Sequence, residues 1–390
     1  MELQSSKELK EILASQGPCL SVYLPLNSAS PGRNLRVDAL EWKETLRGIE
    51  HNVDQYGSQG RELLSSITDW NTFAPEGGPR GRSLAVFRSP EYFGWTWLDE
   101  TIPSRAVIGP HFHIRPLLPE LTRGKSFHIL ALSRKDVRML RCTARHSEEV
   151  PFAPGVITSF DAWMNTAKPD HTTDNMGTGG PSTGHMKGVM FTTSSEREDK
   201  GEYLAHFFRQ IDRGVDEMLR GKSEPVVPAG VDYEVALYRT VNTYPHLSEE
   251  CVHGAPNGLK AGELHARALQ AMSRAYEKKV DSLLAEYNHK VGGSASNRVK
   301  DVITAAHDGR VLTLLISDSL QMTGTFNEST HSVKGRETGT SADEDLINDA
   351  AVQTIRHAGE VHVVPNNKMP NGSPLAAIYR FAIATAAPSS

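Results

Sequence analysis

Two almost uninterrupted apolar runs, Phe127-His128-Ile129-Leu130-Ala131-Leu132 and, opening on a basic residue, Arg310-Val311-Leu312-Thr313-Leu314-Leu315-Ile316, most constrain what this chain can fold into. Each has the length of a strand and lacks the strict alternation of a half-exposed one, so each predicts a buried strand. Between such runs the spacing turns helical. Leu9, Ile12 and Leu13 share a face before Gly17-Pro18, and Leu35, Leu40, Leu46 and Ile49 recur at helical intervals. Tyr203, Leu204, Phe207, Phe208, Ile211 and Val215 form an apolar stripe, and further helices are predicted at Asp232 to Val241, Ala261 to Ala285 and Val302 to Asp308. Leu346 to His357 is amphipathic, with Gly359 as its cap. More strands are predicted at Cys19 to Pro25, at Ser83 to Phe87 paired with Tyr92 to Leu98, at Pro225 to Gly230, at Val361 to Val364 and at Ala376 to Ala382. The implied class is α/β. Its 390 residues exceed one hydrophobic core, so a multidomain chain of two or three domains is expected.

No stretch approaches the roughly 20 apolar residues that cross a bilayer. The start, Met1-Glu2-Leu3-Gln4-Ser5, lacks the basic and apolar segments of a secretory signal. Cys19, Cys142 and Cys251 are odd in number and far apart, which argues against a disulfide framework and for the reducing cytoplasm. A net charge of −5 argues against coating nucleic acid by bulk electrostatics. One segment runs the other way: from Leu121 to His146, Arg123, Lys125, Arg134, Lys135, Arg138, Arg141 and Arg145 face Asp136 as the sole acid. Val137-Arg138-Met139-Leu140-Arg141 alternates apolar and basic, so the hairpin it forms with Phe127 to Leu132 is expected to keep one wet, positive face. Two readings stand: a solvated sheet edge, or a contact to RNA phosphates through Arg134, Lys135 and Arg138.

Two polar tracts interrupt the pattern. Asn165 to Lys200 is dense in Gly, Ser, Thr, Asn and Asp, and a tract that long inside a compact domain is functional or disordered. Phe326 to Glu344 reads as a second, mobile at its tip.

Several stretches together resemble the bacterial archaeo-eukaryotic release factor family, which is related to the class I peptide chain release factors and Pelota. They are Leu20 to Pro25, Phe127 to Arg138, Val227 to Tyr233, Val241 to His246, Asp308 to Val311 and Gly359 to Pro365. The resemblance implies three domains: an N-terminal α/β domain over 1–123, a ribonuclease-H-like middle domain over 124–268, and an L7Ae-like α/β sandwich over 269–390. It places a long loop, 165–200, where true release factors carry a catalytic Gly-Gly-Gln. It also implies the ribosome as partner, through rRNA and tRNA, with a translational GTPase docking on the C-terminal domain, the chain acting as a monomer and no membrane involved.

The loop departs from that pattern. It reads Gly177-Thr178-Gly179-Gly180-Pro181, with proline where glutamine would follow the paired glycines. Proline lacks a backbone N–H, so a donor is lost together with the side chain. Release chemistry needs a held water and donors for the developing oxyanion. No catalytic residue is therefore assigned. Lys168, His171, Gly179, Gly180, His185 and Lys187 are expected to lie against ribosomal RNA. The Asn-Ile-Lys-Ser motif of stop-codon readers is absent too. The reading favoured is a non-catalytic factor occupying the A site in hibernation, stress or rescue; the alternative is a peptidyl-tRNA hydrolase with a divergent loop.

His111 and His113 share one face if extended, and with His128 suggest a metal site, but no cysteine or paired carboxylate completes it. His246, Cys251 and His253 with Glu249 and Glu250 match no standard zinc spacing. No phosphate-binding Gly-x-x-x-x-Gly-Lys-Ser/Thr loop occurs. No metal and no cofactor is expected. A nuclease on the ribonuclease-H-like core ranks last, because the hairpin offers only Asp136 where that chemistry needs a carboxylate cluster.

Overall fold

The computed structural model describes residues 11–26, 35–73, 81–123, 126–167, 194–327, 329–336 and 344–381. The chain forms two compact units, one from Met1–Arg123 with Lys278–Ser390 and one from Gly124–Glu277. The class is mixed α/β, with four sheets in all among the described residues.

In the first unit β1 (Cys19–Pro25) lies between β2 (Ser83–Arg88) and, on its other side, β4 (Arg105–Gly109), with β3 (Phe93–Leu98) beyond β2; all pairs are antiparallel. Side chains alternate along β1. Leu20, Val22 and Leu24 join a cluster with Trp42 of α1 (Leu35–Arg47), Val53 of α2 (Glu50–Asp54) and Leu63 of α3 (Gly57–Ser65). The Trp42 Nε1 donates to the Ile67 carbonyl at 3.0 Å, so its polar edge is satisfied inside the core. Of the predicted helical face, Leu46 and Ile49 are buried while Leu40 is 58% exposed. Trp42 turns the buried stripe away from Leu40.

Cys19 and Tyr23 point to the opposite face of the same sheet. There they join Phe87, Phe112, Ile114 and Leu117, the last just before α4 (Leu118–Arg123).

The second unit holds one five-stranded sheet. Strands β5 (Phe127–Ala131), β6 (Arg138–Cys142) and β7 (Ser147–Val150) form an antiparallel meander. Next to β5, and parallel to it, runs β8 (Val226–Gly230), followed by β9 (Val252–His253), giving the order β7-β6-β5-β8-β9. One face is covered by residues of α5 (Phe160–Ala167), α6 (Ser194–Leu219) and α7 (Asp232–Val241), which pack on Leu130, Leu132 and Met139. The other is covered by Leu264, Ala268 and Ala271 of α8 (Ala261–Lys290), against Phe127, Ile129 and Leu140. The predicted hairpin is present, but its expected wet face is not. Met139 and Leu140 are both fully buried, and only Arg138 and Arg141 reach outward. The long helix α8, whose small alanines allow close approach, is what dries that face.

The chain returns to the first unit along α8. It then forms β10 (Ala295–Ser296), α9 (Val299–His307), β11 (Val311–Ser317), β12 (Thr323–Asn327), β13 (Ser332–Arg336), β14 (Glu344–Asp345), α10 (Leu346–Arg356), β15 (Glu360–Val364) and β16 (Leu375–Tyr379). The main sheet here is β10-β16-β11-β15, and β12 pairs with β13 and β14 in a smaller one. Part of the second polar tract is thus an ordered hairpin, with Phe326 opposite Val333; residues 337–343 lie outside the described residues. Asp345 caps α10, accepting from the Ile347 and Asn348 amides at 3.0 and 3.2 Å. At the other end Ala358, not Gly359, adopts the left-handed conformation, with φ 57°. Gly359 donates to the Thr354 carbonyl at 2.8 Å. A Cβ there would meet the Val311 carbonyl at 2.8 Å. The glycine is needed for close approach rather than for its φ.

Val302, Leu314, Leu346 and Ala350 complete the cluster begun by Tyr23 and Phe112, so the two chain ends share one core. Polar clamps fix the join. The buried Asn348 Oδ1 accepts from the Ile114 and Arg115 amides at 2.7 and 3.1 Å, while its Nδ2 donates to the Phe112 carbonyl at 3.1 Å. Arg356 donates to the carbonyls of Leu13 and Ser15, and Arg115 to those of Ser317 and Leu320.

Candidate nucleic-acid interface

The turn between β5 and β6, residues 133–136, carries two of the predicted contacts. Arg134 and Lys135 are both exposed. The Arg134 Nε sits 3.5 Å from the Glu234 carboxylate at the start of α7, and burial holds that carboxyl above its usual range despite the guanidinium. Asp136 accepts from the Thr158 hydroxyl at 2.9 Å. The Arg134 carbonyl accepts the Phe160 amide at 2.8 Å. Phe160 opens α5, and its ring packs edge-on to Phe207 of α6 at 5.6 Å. The turn is therefore tied directly to the two helices between which residues 168–193 are strung.

Arg138 makes protein contacts. Its Nη2 donates to the Pro256 and Leu259 carbonyls, each at 3.2 Å, and its Nη1 lies 3.5 Å from Glu149. It clamps the connection into α8. Arg141 faces Glu148 across the β6–β7 register. The charge surplus read along Leu121 to His146 stops just short of these two acids. Glu148 and Glu149 were missed because they belong to a strand too short and polar to carry a periodic signal. Among the described residues, Lys135 and Arg141 have no carboxylate within ion-pair distance. Lys168, His171, Gly179, Gly180, His185 and Lys187 lie outside the described residues.

The histidines are distributed otherwise than a metal site requires. His111 and His113 follow β4 in an irregular segment rather than sharing a strand face. His113 is buried, with its Nε2 3.3 Å from the Arg105 guanidinium and its Nδ1 3.9 Å from Asp345. Since guanidinium only donates, the ring proton belongs on Nδ1. Burial pushes this imidazole down to about 4, against a smaller pull upward from Asp345. His128 belongs to the second unit, where its Nδ1 is 3.4 Å from Glu224 and burial lowers its pKa. In the other cluster, the His253 Nδ1 is 2.7 Å from Asp232 and its Nε2 3.5 Å from the Cys251 sulfur. Glu250 is paired with Arg274 at 2.9 Å instead. Among the described residues no three His, Cys, Asp or Glu side chains converge as metal ligands. In the same part of the chain no helix is long and apolar enough to cross a membrane.

The second unit thus combines a meander that continues into parallel strands, helices on both faces and an exposed basic turn. Part of this chain is similar to a known family. The particular match is to bacterial archaeo-eukaryotic release factor family 3, over residues 126–310, a little under half the chain. No curated protein is similar to the sequence. Among solved structures, an archaeal translation termination factor, aRF1, is 18% identical over 96% of this chain and 97% of its own, with a TM-score of 0.24. Archaeal Pelota, in a model of its ribosome-bound form with ABCE1, is 13% identical over 98% and 96%, with a TM-score of 0.39. The translation termination-like factor Dom34 of S. cerevisiae is 13% identical over 82% and 78%, with a TM-score of 0.37. Scores this low transfer no residue role to the present chain.

Proposed function

We propose that this protein is a ribosome-binding translation factor that acts without catalysis, occupying the A site in hibernation, stress or rescue. The family match over residues 126–310 carries this reading. The sequence of the loop supports the non-catalytic half: Gly179-Gly180 is followed by Pro181, which offers neither a glutamine side chain nor a backbone donor. Lys135, exposed on a turn fixed to the helices that bracket the loop, is the phosphate contact we assign among the described residues, with Arg134 beside it. The C-terminal part would dock a translational GTPase, with the chain acting as a cytoplasmic monomer.

Co-sedimentation with vacant and tRNA-loaded ribosomes across a salt series tests this. Stoichiometric binding that weakens with salt is expected, and Lys135→Ala should reduce the slope of log K against log salt by about 1. Arg138→Ala should leave the slope unchanged and instead destabilise the unit by about 1–3 kcal/mol, through the carbonyls it abandons. Absence of binding under every condition would sink the proposal. The paired glycines favour one second reading, peptidyl-tRNA hydrolysis. If that held, ribosome-dependent peptide release would be measurable, and replacing Gly179 and Gly180 would abolish it while sparing binding.

A further inference from the structure

We propose that Cys251, His253 and Asp232 form a reactive-thiol site at the carboxyl ends of β8 and β9, one that takes peroxides and soft carbon electrophiles at sulfur. The three side chains stand in the order nucleophile, base, orienter. Asp232 Oδ1 is 2.7 Å from His253 Nδ1, which places the ring proton on that nitrogen and leaves the Nε2 lone pair bare. The Cys251 sulfur lies 3.5 Å from Nε2 and 3.8 Å from Nδ1, in contact with the imidazole. A base held against a thiol in this way can take its proton as sulfur attacks.

The local fold accounts for the meeting. The parallel pair β8–β9 sets His253 opposite Gly230, and Gly254 donates to the Gly230 carbonyl at 3.1 Å. The chain leaves Gly230 directly into α7, whose first residue is Asp232. A carboxylate and an imidazole 21 residues apart are thereby brought to one sheet end. Of the two acids that precede Cys251, Glu250 pairs with Arg274 at 2.9 Å.

The other two cysteines make the contrast. Cys19 and Cys142 are fully enclosed, and burial pushes each thiol up to about 12. Cys251 sits at the margin of its apolar cluster, 9% exposed, next to an imidazole whose side chain is 68% exposed. With a peroxide, Nε2 takes the thiol proton and sulfur attacks one peroxide oxygen. The S–O bond forms as the O–O bond breaks, the leaving oxygen collects the proton from the imidazolium, and the products are a sulfenic acid and water or an alcohol. Sulfur is oxidised by two electrons and the peroxide reduced by two. With iodoacetamide the S–C bond forms as iodide leaves.

The test uses the full chain, native and folded, with limiting iodoacetamide at neutral pH, and reads each cysteine by peptide mass spectrometry. Cys251 is expected to react first. His253→Gln and Asp232→Asn should each slow it about tenfold with unchanged thermal unfolding, and Asp232→Glu should restore the rate. After brief hydrogen peroxide treatment, dimedone should tag Cys251 in the wild type and much less in His253→Gln. If Cys251 labels only after denaturation, or if the His253 and Asp232 variants label at the wild-type rate, the site does not exist. Ribosome co-sedimentation of Cys251→Ser is expected to match the wild type, so this inference and the ribosomal reading fail separately.

Discussion

Individual side chains here owe their roles to burial more than to type. His113 is held neutral because its surroundings desolvate it and Arg105 and Arg115 oppose its charging, and the pull of Asp345 is too weak to compensate. A histidine whose folded pKa lies near 4 binds its proton later than the same residue unfolded, whose ordinary value is 6.5. The unfolded state gains protons first as pH falls, so stability is full above pH 6.5 and drains away down to about pH 4. The loss from this residue is at most roughly 3 kcal/mol. His128 and His362 are shifted in the same direction by burial and add to it. Denaturant titrations between pH 7 and 4.5 should show this decline, and His113→Gln should flatten it. A His113→Gln variant with the same pH slope as the wild type would show that the imidazole is not held neutral.

At the scale of elements, covering decides what a strand or helix exposes. The β5–β6 hairpin has a basic sequence and two buried faces, since α8 lies on the side expected to be wet. Helix α10 is the counterpart in the first unit. Residues from Leu346 to Thr354 are buried along it, and Asn348 uses its whole amide to hold the segment after β4. Truncating that amide strands two buried donors and one acceptor. Asn348→Ala should cost roughly 3 kcal/mol, seen as a lowered denaturation midpoint with an unchanged m-value. A loss below about 0.5 kcal/mol, typical of a surface substitution, would mean the amide is not a clamp.

For the whole molecule, the order of the chain and the order of the folded units differ. The first unit takes its core from both ends, Ile12, Tyr23 and Phe112 meeting Val302, Leu314 and Leu346. Residues 1–123 alone would expose half of that core to water, which a stretch of that size has little stability to absorb. A 1–123 fragment is expected to lack cooperative unfolding and to regain it when co-expressed with 278–390. The second unit has apolar clusters of its own on both sheet faces, and a fragment ending within α8 should unfold cooperatively. Circular dichroism melts of the fragments check both outcomes, and a folded 1–123 would contradict the shared core.

The sequence by itself determined the strands and helices with strong periodicity: Cys19–Pro25, Phe127–Ala131, Val311–Ser317 and the amphipathic Leu346–Arg356. Those signals are local, one period repeated over a few residues, and survive without tertiary context. Short polar strands such as Ser147–Val150 left no such trace, and neither did the edge strand Arg105–Gly109. For the candidate site, the sequence marked Arg134, Lys135 and Arg138 alike, because all three are basic residues on one hairpin. Only the tertiary structure, by bringing the Pro256 and Leu259 carbonyls to Arg138 and Asp232 to His253, decided which charge is a clamp and which histidine has a thiol to act on. Such pairings join residues 21 to 121 positions apart, and no periodicity encodes a contact between distant stretches of chain.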